Sequence, residues 1–202
     1  MTDEELVLQE TAMAAERSGD LEAALDGWRA LSSINANRPD YLCKLGRVAQ
    51  KLGRWADAER AFLEAMRVDA RFSFAMVALG SLFLKRTDGD RLANARRAKE
   101  WLEQAVAIAP NQPSLSFLGS AHARLGEKEA AKAAFRKVIE LDDTYAEAYF
   151  NLGLLLSADG QAIEAERLLR KAAQLDPGSH RAHGALGVLL QELGKYSEAG
   201  PS

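Results

Sequence analysis

A single cysteine, Cys43, stands among 202 residues, so the chain has no intramolecular disulfide framework and fits a reducing compartment. Prolines number only five against a 48% hydrophobic content, which excludes a disordered, low-complexity chain and suits a folded helical one. No apolar run approaches the ~18 residues that a bilayer span requires. Neither sign of charge dominates: the net charge of −3 gives no general attraction to nucleic acid or to a membrane surface. The N-terminal MTDEELVL is acidic and lacks the basic-then-apolar layout of a signal peptide. Catalytic signatures are missing as well. Gly194-Lys195 lacks the upstream glycine of a phosphate loop, and neither a G-x-S-x-G elbow nor an H-E-x-x-H helix occurs. These absences predict a cytoplasmic protein with no catalytic centre, no metal and no cofactor.

What is present is a beat. Leu-Gly pairs stand at Leu45-Gly46, Leu79-Gly80, Leu118-Gly119, Leu152-Gly153 and Leu186-Gly187, at intervals of 34, 39, 34 and 34 residues. Gly19, Gly53, Gly126, Gly160 and Gly194 keep the same phase as turn glycines, interrupted only around Thr87-Asp88-Gly89. Alanines follow at Ala24, Ala58, Ala98, Ala131, Ala165 and Ala199. In the stretch 146–177, Tyr149, Leu152-Gly153 and Leu156 share one helical face. Gly160 breaks the pattern, Ala165, Leu169 and Ala172 form a second stripe, and Pro177 follows the last apolar residue. Two short amphipathic helices joined by a glycine turn are predicted, restated along the chain. Small residues let the two helices approach, and large ones beside them (Leu45 with Phe62, Leu118 with Phe135, Leu152 with Leu169) fill the remaining space.

This pattern resembles the tetratricopeptide repeat, whose signature is W-x2-L-G-x2-Y, then A-x3-F, then P, over about 34 residues. The resemblance implies an all-α, right-handed superhelical solenoid of helix-turn-helix repeats, in which each pair stacks on the next to bury its stripe. It covers nearly the whole chain as a single array, 1–202. The repeats fall at approximately 5–38, 39–72, 73–111, 112–145 and 146–179, with a partial sixth at 180–199. The first is the weakest copy, with Leu8, Thr11 and Ala12 in the motif places; Thr2 and Glu5 form a capping box before it. Pro39 suits the first turn of the next helix. The third carries about five extra residues near 87–94 (TDGDRLAN), either a tolerated loop or a specificity element. In the sixth, Tyr196 to Ala199 reads as the opening of a second helix; a cut chain and a terminal cap are both open readings.

The same resemblance implies a non-catalytic scaffold that binds a partner peptide or segment in a concave groove lined by the first helix of each repeat. Carried over place by place, the groove takes Asp40, Cys43, Lys44, Arg47 and Lys51 from the second repeat. The third supplies Val77, Ser81, Leu84 and Lys85, and the fourth Ser116, Phe117, Ser120 and Arg124. Glu147, Phe150, Asn151 and Leu154 come from the fifth; Arg181, Gly184, Val188 and Glu192 come from the sixth. Arg17, Lys51, Lys85 and Arg124 recur at one place, which reads either as a rail for an acidic partner or as a solubilising face. Phe117 and Phe150 lie off the core stripe, either as exposed peptide anchors or as packing between neighbouring first helices. Asn151 stands where relatives that bind chaperone tails hold a peptide backbone. Their carboxylate clamp is absent, since Ser116, Ser120 and Ala185 occupy the other required places.

Other polar residues carry blander expectations. His122 falls at a core place and is expected to pack. His180 and His183 sit three apart without further ligands nearby and read as solvent-facing. Trp28 is expected in the core, Trp55 across its helix pair, and Trp101 part-exposed. Two other functional readings stand beside the scaffold. One is the recognition arm of a larger enzyme, such as a transferase, whose catalytic domain would follow residue 202. The other is self-assembly into a homo-oligomer through Leu186, Leu190 and Leu193.

Overall fold

The computed structural model describes residues 2–199, with side chains described for 2–194. The described residues form eleven α-helices and no strand. The chain divides into two compact units, Met1–Ala109 and Pro110–Ser202. The first unit holds three helix pairs: α1 (Asp3–Ser18) with α2 (Leu21–Ile34), α3 (Pro39–Lys51) with α4 (Trp55–Val68), and α5 (Ser73–Lys85) with α6 (Arg91–Ile108). The second holds α7 (Gln112–Arg124) with α8 (Lys128–Leu141), α9 (Ala146–Ala158) with α10 (Ala162–Leu175), and α11 (His180–Ala199).

Helix ends follow the sequence signals. Thr2 Oγ1 accepts from the Glu5 amide at 3.2 Å and Glu5 Oε2 from the Thr2 amide at 2.7 Å, closing the expected capping box. Pro39 opens α3, where its missing N–H costs nothing. Gly53 and Gly126, with φ of 72° and 75°, turn the chain in the left-handed region that side-chain-bearing residues avoid.

Each pair closes around a glycine. A Cβ placed on Gly46, Gly80, Gly119 or Gly153 would lie closer than 3.0 Å to Phe62, Leu102, Phe135 or Leu169 of the second helix. Those four large residues are at most 1% exposed, and burying each removes about 1.5–3 kcal/mol of apolar surface from water. The first pair reverses the arrangement. There the glycine is Gly27, on the second helix, and its Cβ would meet that of Ala12 at 2.8 Å. The weakest motif copy therefore keeps the close approach with the small residues redistributed. Trp28 seals this pair, 1% exposed, its indole N–H donating to Glu16 at 2.7 Å and its ring 6.1 Å from Tyr41.

The extra residues of the third repeat are only partly a loop. Residues 86–90 connect α5 to α6, and 91–94 are helical, so α6 runs 18 residues where the other second helices have 14. Asp90 caps α6 by accepting from the Leu92 amide at 2.8 Å. Buried Asn94 donates to the Asp88 carbonyl at 3.0 Å. Arg86 ties the segment to the preceding pair, meeting Asp88 at 2.6 Å and Glu59 at 2.8 Å, and Glu59 also takes Arg97 at 2.6 Å.

At α11 an expectation fails. Gly194 does not turn the chain; the helix continues through it to Ala199. No second helix packs on α11 within the described residues, so nothing diverts the backbone from its helical hydrogen bonds. The backbone of Tyr196–Ala199 extends α11; their side chains, and Gly200 to Ser202, lie outside the described residues.

Candidate functional site

The first helices are the surface on which a site can form, because the second helices cover them on one side only. In the first unit α3 touches α5; in the second, α7 touches α9 and α9 touches α11. On the second unit they enclose an open recess of about 410 Å³. Ser120, Ala123 and Arg124 of α7 form one wall, Glu147, Asn151, Leu154 and Leu155 of α9 the middle, and Arg181 of α11 the far side, with Phe135 at the base. The 34-residue beat explains the assembly: successive first helices present one face, and residues from three of them converge. Two guanidinium groups and one carboxylate line the recess, beside a half-buried amide and Leu154, which is 40% exposed. Such a set suits an extended segment with an acidic group, a backbone to be hydrogen-bonded and an apolar side chain.

The predicted residues divide. Arg124 and Asn151 meet in the recess; Phe117 is half-buried on α7 and is not part of its lining. Phe150, expected to be an exposed anchor, is 7% exposed. It floors a smaller pocket of about 270 Å³ that shares Glu147 and Arg181 with the recess, and the Arg181 guanidinium lies 4.6 Å over its ring. The ring thus serves as a platform that positions a cation. Cys43, also expected in the groove, is 1% exposed, and burial pushes its thiol up to about 12. One reason covers both corrections. Cys43, Ser116 and Phe150 occupy the same place in their repeats, and that place faces the neighbouring first helix instead of solvent.

On the first unit, Arg47, Lys51 and Lys85 are exposed on α3 and α5. Lys51 is ion-paired to Glu16 at 3.5 Å, so part of the basic series is spent on tying two repeats together. Phe74 escaped the sequence reading. It is 51% exposed, near Phe72 at 6.1 Å, in the place that Glu147 and Arg181 occupy in their repeats. Asp40, Glu147 and Arg181 at that place were already assigned to the groove, so the beat alone could have found it.

The histidines are structural. His122 is 9% exposed with Nδ1 against the Glu127 carboxylate, stapling the turn between α7 and α8. His180 and His183 are exposed, His183 Nε2 lying 3.1 Å from the Pro177 carbonyl oxygen. Among the described residues no three His, Cys, Asp or Glu side chains gather as metal ligands, and no helix is long and apolar enough to cross a membrane.

Four family profiles, each described as tetratricopeptide repeat, match residues 43–113, 113–145, 134–167 and 156–200. The chain belongs to the tetratricopeptide repeat family. Among curated relatives, cellulose synthase operon protein C of Pseudomonas fluorescens (strain SBW25) is 28% identical over 93% of this chain. The match covers 15% of that much longer protein. A thermophilic tetratricopeptide repeat protein of Thermus thermophilus superposes with a TM-score of 0.73 at 22% identity, covering 93% of this chain and 99% of that one. YrrB, described as having an unusual peptide-binding site, superposes at 0.66 with 22% identity, covering 86% and 87%. These likenesses show the fold, an all-α solenoid of helix-turn-helix repeats. As a tetratricopeptide repeat protein it departs from the chaperone-tail binders in detail. At the clamp places Ser116 is buried, and the Ser120 hydroxyl donates to the Ser116 carbonyl at 3.0 Å.

Proposed function

We propose that this protein is a non-catalytic interaction scaffold and that the recess on α7, α9 and α11 binds an extended, acidic peptide segment of a protein partner. The observation that carries the reading is the convergence of Arg124, Asn151 and Arg181 from three successive first helices on one open recess. Arg181, held over Phe150, and Arg124 supply charge for an acidic side chain, Asn151 hydrogen-bonds the peptide backbone, and Leu154 takes an apolar neighbour. On the first unit, Phe74, with Arg47, Lys51 and Lys85, offers a further aromatic and basic surface of the same kind. The peptide-binding site ascribed to YrrB supports this use of the fold.

The test is selection of displayed peptides on the native chain, followed by calorimetric titration on the native chain and on Arg124→Glu/Asn151→Ala. Selected sequences should pair acidic with apolar residues, and the variant, with unchanged helical circular dichroism, should bind them at least ~10-fold more weakly, the ~1.4 kcal/mol of one charged hydrogen bond. Equal binding by the variant overturns the reading.

A second reading, the recognition arm of a larger protein, is favoured by the length of the curated relative, of which this chain matches 15%. A reading frame that continues past Ser202 into a further folded domain would support it, and a stop codon there would remove it.

A further inference from the structure

Gly187 occupies in α11 the place of Gly153 in α9, yet a Cβ there would meet nothing within 4 Å. The residues around it repeat the contrast. Leu190 is 39% exposed, whereas its counterparts Leu156 and Phe83 are 0% and 1%. On the side of α11 that packs on α10, Ala182 and Leu189 are 1% and 4% exposed. One face of α11 is therefore packed as in every other first helix, and the face that elsewhere receives a second helix is open. Because α11 continues through Gly194, residues 195–199 run on along its axis and do not fold back over Gly187.

We propose that this open face is a docking notch for one amphipathic helix supplied by a different protein. That helix would carry a large apolar residue with a small residue four places before it and another three places after. This is the pattern that fills the equivalent notches: Ala58-Phe62-Ala65, Ala98-Leu102-Ala105 and Ala165-Leu169-Ala172. The physical reason is the same in each. The missing Cβ opens a hole on the first helix, the large side chain fills it, and the flanking small residues let the two axes approach. A second copy of this chain does not supply such a helix. Its own patterned helices are buried in their pairs, and none of the exposed Leu6, Val7, Met13 and Leu190 has small residues at both flanking places. The notch is separate from the recess described above and would be used by a helical ligand, not an extended one.

The test titrates the full chain into a fluorescein-labelled peptide of residues 161–176 (QAIEAERLLRKAAQLD), followed by anisotropy. Saturable binding is expected. It should weaken at least ~10-fold for the peptide carrying Leu169→Asp, and equally when Gly187→Leu fills the notch, a change that raises helix propensity and meets no neighbour. The Arg124→Glu chain should bind the peptide unchanged, which separates failure here from failure of the recess. Absence of saturable binding, or binding indifferent to Leu169→Asp or Gly187→Leu, overturns the proposal. So does a concentration-dependent mass of the chain alone that Gly187→Leu abolishes, because a second copy would then occupy the face.

Discussion

The same substitution, glycine to alanine, should have opposite signs at two equivalent places, and the structure gives the magnitudes. At Gly46 the added methyl would lie 2.5, 2.7 and 2.9 Å from three ring atoms of Phe62. That ring is 0% exposed and packed on all sides, so it must move by roughly 1 Å to restore ordinary contact. Overpacking of this kind costs about 1–3 kcal/mol, and the rigidity of the site puts it near the top of that range. Alanine returns about 1 kcal/mol of helix propensity, leaving a net loss of about 2 kcal/mol. At Gly187 only the propensity gain remains, about 1 kcal/mol in favour of α11. Urea unfolding separates the two, because Trp28, Trp55 and Trp101 all lie in the first unit. Tryptophan fluorescence follows that unit, while circular dichroism at 222 nm follows both. Gly46→Ala should move the fluorescence midpoint down by about 1 M urea. Gly187→Ala should leave that midpoint in place and strengthen the dichroism signal. A Gly46→Ala protein with an unchanged fluorescence midpoint would refute the packing argument, as would a Gly187→Ala protein that loses helix.

Three further outcomes are expected. Asp159 joins Lys128 at 2.5 Å and Lys132 at 2.8 Å, and these hydrogen bonds, Lys128 first, hold its carboxyl below the usual aspartate range. The stability it contributes is present above the unfolded value of about 4 and is lost as pH falls through the lowered folded value. Asp159→Asn should therefore weaken the second unit at neutral pH and flatten its acid loss; parallel stability–pH curves would contradict this. Trp28→Ala should cost about 3–5 kcal/mol in urea unfolding, and Trp28→Phe clearly less, since Phe removes mainly the bond to Glu16; equal losses would disprove the cavity account. Cys43, with its thiol pushed from 9.0 to about 12, holds about a thousandfold less thiolate than an ordinary cysteine. Ellman's reagent at pH 8 should label it slowly in buffer and rapidly in urea, and fast labelling of the folded chain would show that the site is open.

The periodicity of Leu-Gly pairs, turn glycines and alanines by itself determined the helices, their pairing and the family, because those features depend on neighbours within one repeat. It also determined which places face a groove, and so Arg124 and Asn151. Tertiary structure alone decided exposure at the edge of the stripe. Phe117 and Phe150 look alike as aromatics beside a core leucine. Yet Phe150 shares its place with Cys43 and Ser116 and is buried, because that direction is filled by the next first helix, about one repeat away in sequence. The insertion's division into loop and extra helical turn was likewise decided by ion pairs from Arg86 and Arg97 to Glu59, a residue of the preceding pair. At Gly194 the local signal pointed to a turn and the fold did not make one. A turn glycine permits a reversal, but a second helix packed against the first is what holds it, and none packs on Gly187.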